Sequence, residues 1–598
     1  MRLLTVFAFC AAALAQAQPA QIPVETFPMS ATATPDGKYL LVLSAGLHPP
    51  AISVIDLAAS KELSRTPVPD AWLGLAISKA GDKVYVGGGA RAAVFEFAYA
   101  NGELKPGRTF PLVAEKARTS QDFAGDVKLA PDGHLLYVAN VFRDSVVVMN
   151  PQSGVILSRI RTGRRPYRIL FHPSGKSMYV ASWADGSIGQ YDVNSGERLS
   201  NLRLAPHPSD MLWVPGGLPA GASGAAEGPA VVARMFVPAA NTNNLYVVGA
   251  TETGDLSKLE AISLALTPEQ PLGTTPSAVA LSADKKKIYV ACSDANAVAV
   301  IDISGDRNLV EGYIPAGGYP AAVAGLEGDR VAIVNGHGDS VQIVDAKNDT
   351  DRAASTAKVM AAFPYRDAAP GAVAAKLPGF RHVVYVVRGD DKDAEAVNRA
   401  IAGIAPDFTV RLAPATASGR RKVYDFEGQE PANAPPAGYL WNSVSQAGLK
   451  IRNYGFAVRN LPKPNADGEQ VAGVYDPALA ETTDMEYRGM DPAYPDAERA
   501  KEFAAEMKEY DQVESMPDLL LVRIGKDDAA LPILKDAVEK SKFHAEIAMI
   551  VVTGDKASVV LPAGQGKTGT AVAGLRTVES LLGLRPMTIF DAAAAPLF

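Results

Sequence analysis

Five aspartates follow apolar runs in the C-terminal part of the chain, where an α/β sheet would do chemistry. Residues 380–391, FRHVVYVVRGDD, read as a buried parallel strand that turns at Gly389 into Asp390 and Asp391. Asp527 and Asp528 follow the apolar run 519–524, and Asp555 follows 545–552. A sheet of parallel strands presents its site at their carboxyl ends. Carboxylates gathered there could hold Mg²⁺ or Ca²⁺, which take oxygen ligands, and a two-metal arrangement would hydrolyse phosphate esters. The histidine count opposes this. Transition-metal sites lean on imidazole, and beyond residue 379 there are only His382 and His544, each in or just before a strand, where a structural role is expected. Without a cation, clustered carboxylates repel and turn to solvent. Asp390, Asp391 and Asp555 are therefore weak catalytic candidates. No catalytic residue, metal or other cofactor is expected, and a divalent metal enters only with the hydrolase alternative.

Residues 564–568, GQGKT, invite a phosphate-loop reading, but that motif needs a glycine five residues before its Gly-Lys pair, and Leu561 stands there. The segment is read as a loop. Cys292, within IYVACSD, is read as a buried small hydrophobe; no Cys-x-x-Cys-His is present for covalent haem.

The elements that must carry these groups fall into two kinds. From Val24 to Asp345 a turn leads into a strand centred on Tyr-Val or its equivalent, then into a second apolar strand. The anchors are Leu41, Tyr85, Tyr137, Tyr179, Phe236, Tyr289 and Ile333, spaced by about 40 to 57 residues. Such a unit cannot bury both faces of its sheet alone, so seven anchors predict a seven-bladed β-propeller, closed by strands from both ends. The Gly/Ala/Pro-rich stretch 216–228 is an insertion. Residues just before each innermost strand face the mouth of the channel; here they include Trp72, Asp126, Arg165, Tyr167, His207 and Tyr319. They are the candidate binding surface for a protein, glycan or cell-surface partner, against the plainer reading of loop residues around a wet channel.

Residues 347–378 are polar and Ala-rich and read as a linker. From 379 to 598 strands alternate with helices, expected over 394–404, 440–447, 496–513, 531–541 and 570–582. That alternation predicts an α/β domain with a mostly parallel sheet.

Leu136-Tyr137-Val138-Ala139-Asn140, Met178-Tyr179-Val180-Ala181-Ser182 and Ile288-Tyr289-Val290-Ala291-Cys292 resemble the YVTN family of β-propellers. The blade-leading Gly and Pro pairs, such as Gly163 with Pro166 and Gly317 with Pro320, also fit. The C-terminal part resembles the phosphoesterase domain, of the alkaline-phosphatase-like superfamily, that follows such propellers in secreted bacterial proteins. The matching words include Pro364-Tyr365-Arg366-Asp367, His382-Val383-Val384-Tyr385, Tyr424-Asp425-Phe426-Glu427-Gly428, Gly438-Tyr439-Leu440-Trp441, Arg452-Asn453-Tyr454-Gly455 and Phe590-Asp591-Ala592-Ala593. The resemblance breaks at the chemistry. Where the family carries Glu-Asn-Arg-Thr this chain has Arg388-Gly389-Asp390-Asp391, and where it carries Asn-Asp-His this chain has Gly525-Lys526-Asp527-Asp528. The family's Asp-Gly-His segment is absent. The resemblance thus implies a catalytically degenerate phosphoesterase-like domain.

Met1-Arg2, the apolar run 3–14 and Ala15-Gln16-Ala17 form a secretory signal, with cleavage expected after Ala17. The mature chain is expected in a periplasm or outside the cell, with no membrane span. A net charge of −7 over 598 residues argues against nucleic acid as a partner.

Overall fold

A computed structural model describes residues 20–216, 231–268, 270–305, 307–346, 349–362, 379–420, 428–562 and 567–598. The expected leader 1–17, most of the 216–228 insertion, the second half of the expected linker, the Tyr424 motif and residues 563–566 of the expected loop lie outside them.

Seven four-stranded antiparallel sheets follow one another as blades, as the anchors predicted. Every anchor lies on the second strand of its blade, for example Tyr137 in Leu136–Asn140 and Ile333 in Arg330–Asn335. The reason is packing. The second and third strands are covered by the neighbouring blades on both faces, so they tolerate unbroken apolar runs; Leu136–Asn140 is buried throughout. The outermost strand is wetted on one side and alternates, as Lys61–Pro67 does. The ring closes through the N-terminal strand Gln21–Pro23, which pairs antiparallel with Ser340–Asp345, Ile22 opposite Val341. It supplies the outer strand of blade seven, so no blade lacks its fourth strand. Cys292 is free and buried at the end of Lys287–Cys292, and burial pushes its thiol up to about 12.

Within the segment expected to be a linker, Asp349–Ala362 forms a helix that packs on the outer strand of blade six, Leu309–Pro315. The Thr356 hydroxyl accepts the Tyr313 amide at 2.9 Å.

The C-terminal part is a six-stranded mixed sheet between two helical layers. Its order is Ile451–Tyr454, Leu519–Ile524, His382–Arg388, Ile547–Thr553, Lys556–Leu561 and Thr568–Thr570. The first four are parallel; Lys556–Leu561 and Thr568–Thr570 add an antiparallel hairpin that the helix–strand alternation did not foretell. The run 382–388 is the central strand, with Tyr385 opposite Leu521 on one side and Ile550 on the other. Helices Ala394–Ala402, Leu440–Gln446 and Ala571–Leu582 cover one face, and Asp496–Val513 and Ala530–Lys540 the other. Gly583 at φ 71° ends Ala571–Leu582, the left-handed stop expected of it. Among the described residues, no helix is long and apolar enough to cross a membrane.

Candidate functional site

The propeller mouth is built by a repeated backbone device. Phe27, Arg165, His207, Thr275 and Tyr319 each precede the proline that starts an innermost strand or bridge, and all five have φ between 48° and 59°. A left-handed side-chain-bearing residue costs of order 1–3 kcal/mol and persists only where its surroundings hold it. Three are held by the turn of the preceding blade. Asp339 Oδ1 accepts the Phe27 amide at 2.8 Å, Asp144 Oδ1 the Arg165 amide at 2.9 Å, and Asn296 Oδ1 the Tyr319 amide at 2.7 Å.

The mouth is filled by the chain itself. Helix Asp407–Ala417 lies over it, and Ala405, Phe408, Val410 and Leu412 share one apolar cluster with Phe27, Trp72, Phe123, Tyr167, Trp183 and Tyr319. Phe408 meets Trp72 edge-on at 5.4 Å and Trp183 at 5.0 Å, with the Arg165 guanidinium 4.9 Å from its ring centre. Asp407 sits at the centre, fully buried. Its carboxylate accepts the Tyr319 hydroxyl at 2.7 Å, the Tyr167 hydroxyl at 3.1 Å and Arg411 Nε at 2.9 Å. Arg411 Nη2 donates to the Ala321 carbonyl at 3.0 Å, on the innermost strand of blade seven.

A second strand of contacts runs along residues 428–434. His207 stacks on Trp183 at 3.7 Å, and its Nε2–H donates to the Ala432 carbonyl. Asn241 Nδ2 donates to the Ala434 carbonyl at 2.8 Å, and Arg164 and Arg165 lie 3.6 and 3.8 Å from Glu430. Burial drops the His207 imidazole to about 4, although the Ala432 carbonyl and Asp407 push the other way. Burial likewise lowers the Arg165 guanidinium to about 10.

The structure therefore gathers Trp72, Arg165, Tyr167, His207 and Tyr319 at one buried interface within the chain. Asp126 stands apart, in the wall of the channel. Its Oδ2 accepts the Ile169 amide of the next blade at 2.9 Å, and Arg168 lies between Asp126 at 3.4 Å and Asp210 at 3.5 Å. Asp210 repeats the latch, accepting the Val279 amide at 3.1 Å. Phe27 and Thr275 carry the same residue-before-proline signal and could have been found by it. Asp407, Phe408 and Arg411 carry no such signal.

The carboxyl edge of the sheet is neutralised by basic side chains of the chain. Asp390 caps the short helix Asp391–Asp393 through the Lys392 amide at 2.8 Å. The Lys526 ammonium lies 2.7 Å from Asp393 and 3.7 Å from Asp390. Burial alone would raise the Asp393 carboxyl, but Lys526 and the Asp390 amide outweigh it and hold it below the usual carboxylate value. Arg388 donates to Asp528 at 2.7 Å, and Asp496, paired with Arg499 at 2.7 Å, accepts the Gly525 amide at 2.9 Å. Asp555 is exposed in the two-residue turn between Ile547–Thr553 and Lys556–Leu561. Among the described residues, no group of three or more His, Cys, Asp or Glu could hold a metal ion.

The family model described as "Lactonase, 7-bladed beta-propeller" matches residues 28–209, which span blades one to four. No curated protein matches the chain. Similar solved structures include the Kuenenia stuttgartiensis hydrazine synthase, 16% identical, covering 56% of this chain and 99% of that one at a TM-score of 0.41. The Cps50 (Swd1) β-propeller domain of Myceliophthora thermophila is 12% identical, covering 55% and 100% at 0.41. Virginiamycin B lyase from Staphylococcus aureus is 14% identical, covering 55% and 99% at 0.41.

Proposed function

We propose that this chain is an exported binding protein, in which a propeller (18–346) is capped by a catalytically degenerate phosphoesterase-like domain (379–598). One observation carries the reading: Lys526 sits between Asp390 and Asp393 at the edge where the phosphoesterase resemblance calls for metal. An ammonium there supplies the positive charge that a cation would otherwise supply. The α/β part then serves as a cap, since its helix Asp407–Ala417 and the segment 428–434 occupy the mouth. A partner must therefore use the outer rim or the opposite face of the propeller.

The test is metal content of the purified mature protein, together with turnover of a phosphomonoester and a phosphodiester under added Mg²⁺, Mn²⁺, Zn²⁺ or Ca²⁺. The expected result is substoichiometric metal and no turnover. Stoichiometric metal with turnover abolished by Asp390→Ala would establish a hydrolase instead.

A further inference from the structure

A cavity of about 1170 Å³ opens on the rim between blades three and four, beside the cap, which it meets where Arg164 lies 3.6 Å from Glu430. In a chain of net charge −7, five arginines line it. Arg159 and Arg161 stand two apart on the outer strand Ile156–Arg161, so both side chains leave the same face. Arg198 opens the outer strand Arg198–Arg203 of the next blade, and Arg143 and Arg164 come from the loops above.

Their partners divide them. Arg143 pairs with Asp122 at 3.1 Å and Arg164 with Asp185 at 2.8 Å, while Arg159 donates to the Leu112 carbonyl. Arg161 and Arg198 are exposed and have no carboxylate partner among the described residues. Guanidinium forks take carboxylate and sulfate oxygens two at a time. Asn140 is buried and bonded to the Phe123 amide and Asp122, and Thr162 to the Gly163 carbonyl, so the half-buried Ser145 is the neutral polar group suited to a hydroxyl. Among the described residues no aromatic side chain lines the cavity, so the stacking that holds unpaired nucleobases has no platform there. The volume exceeds the roughly 300–1,000 Å³ usual for one small molecule.

We infer that this cavity binds an acidic oligosaccharide, its carboxylate or sulfate groups held by Arg161 and Arg198 and a hydroxyl by Ser145. This deepens the binding reading above and rests on it for the absence of chemistry. Asp122 and Asp185 occupy Arg143 and Arg164, which leaves Arg161 and Arg198 to meet the anionic groups.

The experiment is titration calorimetry on the full mature chain with four probes: a heparin-derived tetrasaccharide, a tetragalacturonate, maltotetraose and tripolyphosphate. One of the two acidic tetrasaccharides should bind at least about 10-fold more tightly than maltotetraose and tripolyphosphate, and weaken as NaCl screens the contact. Arg161→Ala/Arg198→Ala should lower its affinity at least about 10-fold with an unchanged melting temperature, as expected of exposed side chains. Arg161→Lys/Arg198→Lys should fall between, keeping charge but losing the fork. The inference fails if neither acidic sugar binds, if maltotetraose or tripolyphosphate binds as well, or if the double alanine variant binds undiminished. Phosphoester turnover by a chain that still bound the acidic sugar would sink the proposed function and leave this site standing.

Discussion

Asp407→Ala is the sharpest test of the capped mouth. The substitution removes the acceptor of two tyrosine hydroxyls and leaves Arg411, 1% exposed, without its carboxylate. Breaking a buried ion pair by removing one partner costs about 3–5 kcal/mol, mostly because the other charge is stranded. Replacing both partners with apolar groups of similar volume is often neutral, so Asp407→Leu/Arg411→Met should recover most of that loss. The measurement is denaturant unfolding followed by tryptophan fluorescence, with Trp72 and Trp183 reporting directly because both pack against Phe408. Asp407→Ala should move the transition that carries the Trp72 and Trp183 signal to lower denaturant. A loss below about 1 kcal/mol, or a double variant as unstable as the single one, would show that Asp407 does not anchor the cap.

The His207 imidazole ionises near 4 in the fold and near 6.5 when unfolded, so its contribution is present above pH 6.5 and fades as pH falls towards 4. The gap corresponds to about 3 kcal/mol at the acid end; Arg165 and Asp407 face the ring, and His207→Gln should flatten the slope seen in melting curves. Glu579 is buried beside Asp591, and its carboxyl is raised well above the usual value by burial and then by that neighbour. A raised carboxyl keeps its proton to higher pH in the fold than in the unfolded chain, so stability should decline as pH rises from the ordinary carboxylate range, and Glu579→Gln should abolish that decline in denaturant midpoints. Asp390→Ala should cost about 1 kcal/mol through its lost cap, whereas Asp555→Ala should cost less than about 0.5 kcal/mol. Neither melting temperature should respond to chelator, and a metal-dependent rise lost in Asp555→Ala would contradict the neutralised edge.

The blades were legible because their signal is local and repeated. Tyr137, Tyr179 and Tyr289 lie on strands buried on both faces, which demands apolar runs at a fixed period. The sequence pointed to the mouth through the residues just before the innermost strands, but not to what fills it. Helix Asp407–Ala417 has β-branched Thr409 and Val410 in its first turn and Pro414 inside it, and it is buried nearly all round, so it carries neither strong propensity nor an amphipathic period. The helix Asp349–Ala362 was missed because only a narrow stripe around Val359 meets blade six, and the rest is small or polar. At the sheet's edge the acids were visible in the sequence. The pairing of Lys526 with Asp393 was not, because loop charges find partners only once the strands are side by side.

The ring's closing strand bears on how the molecule is made. Ser340 and Gln21 touch across 319 residues of sequence, so the first strand to leave the ribosome waits for nearly the last blade. Closing a loop of that length costs about 5 kcal/mol of chain entropy on top of a constant, and nothing local repays it. Until residue 345 is available, the N-terminal strand has no blade to complete and the nascent chain presents an unpaired edge. The cap comes later still, at 407–417, over a mouth that is apolar until it is covered. Folding should therefore be slow, late and vectorial, with its last long-range steps made after most of the polypeptide already exists.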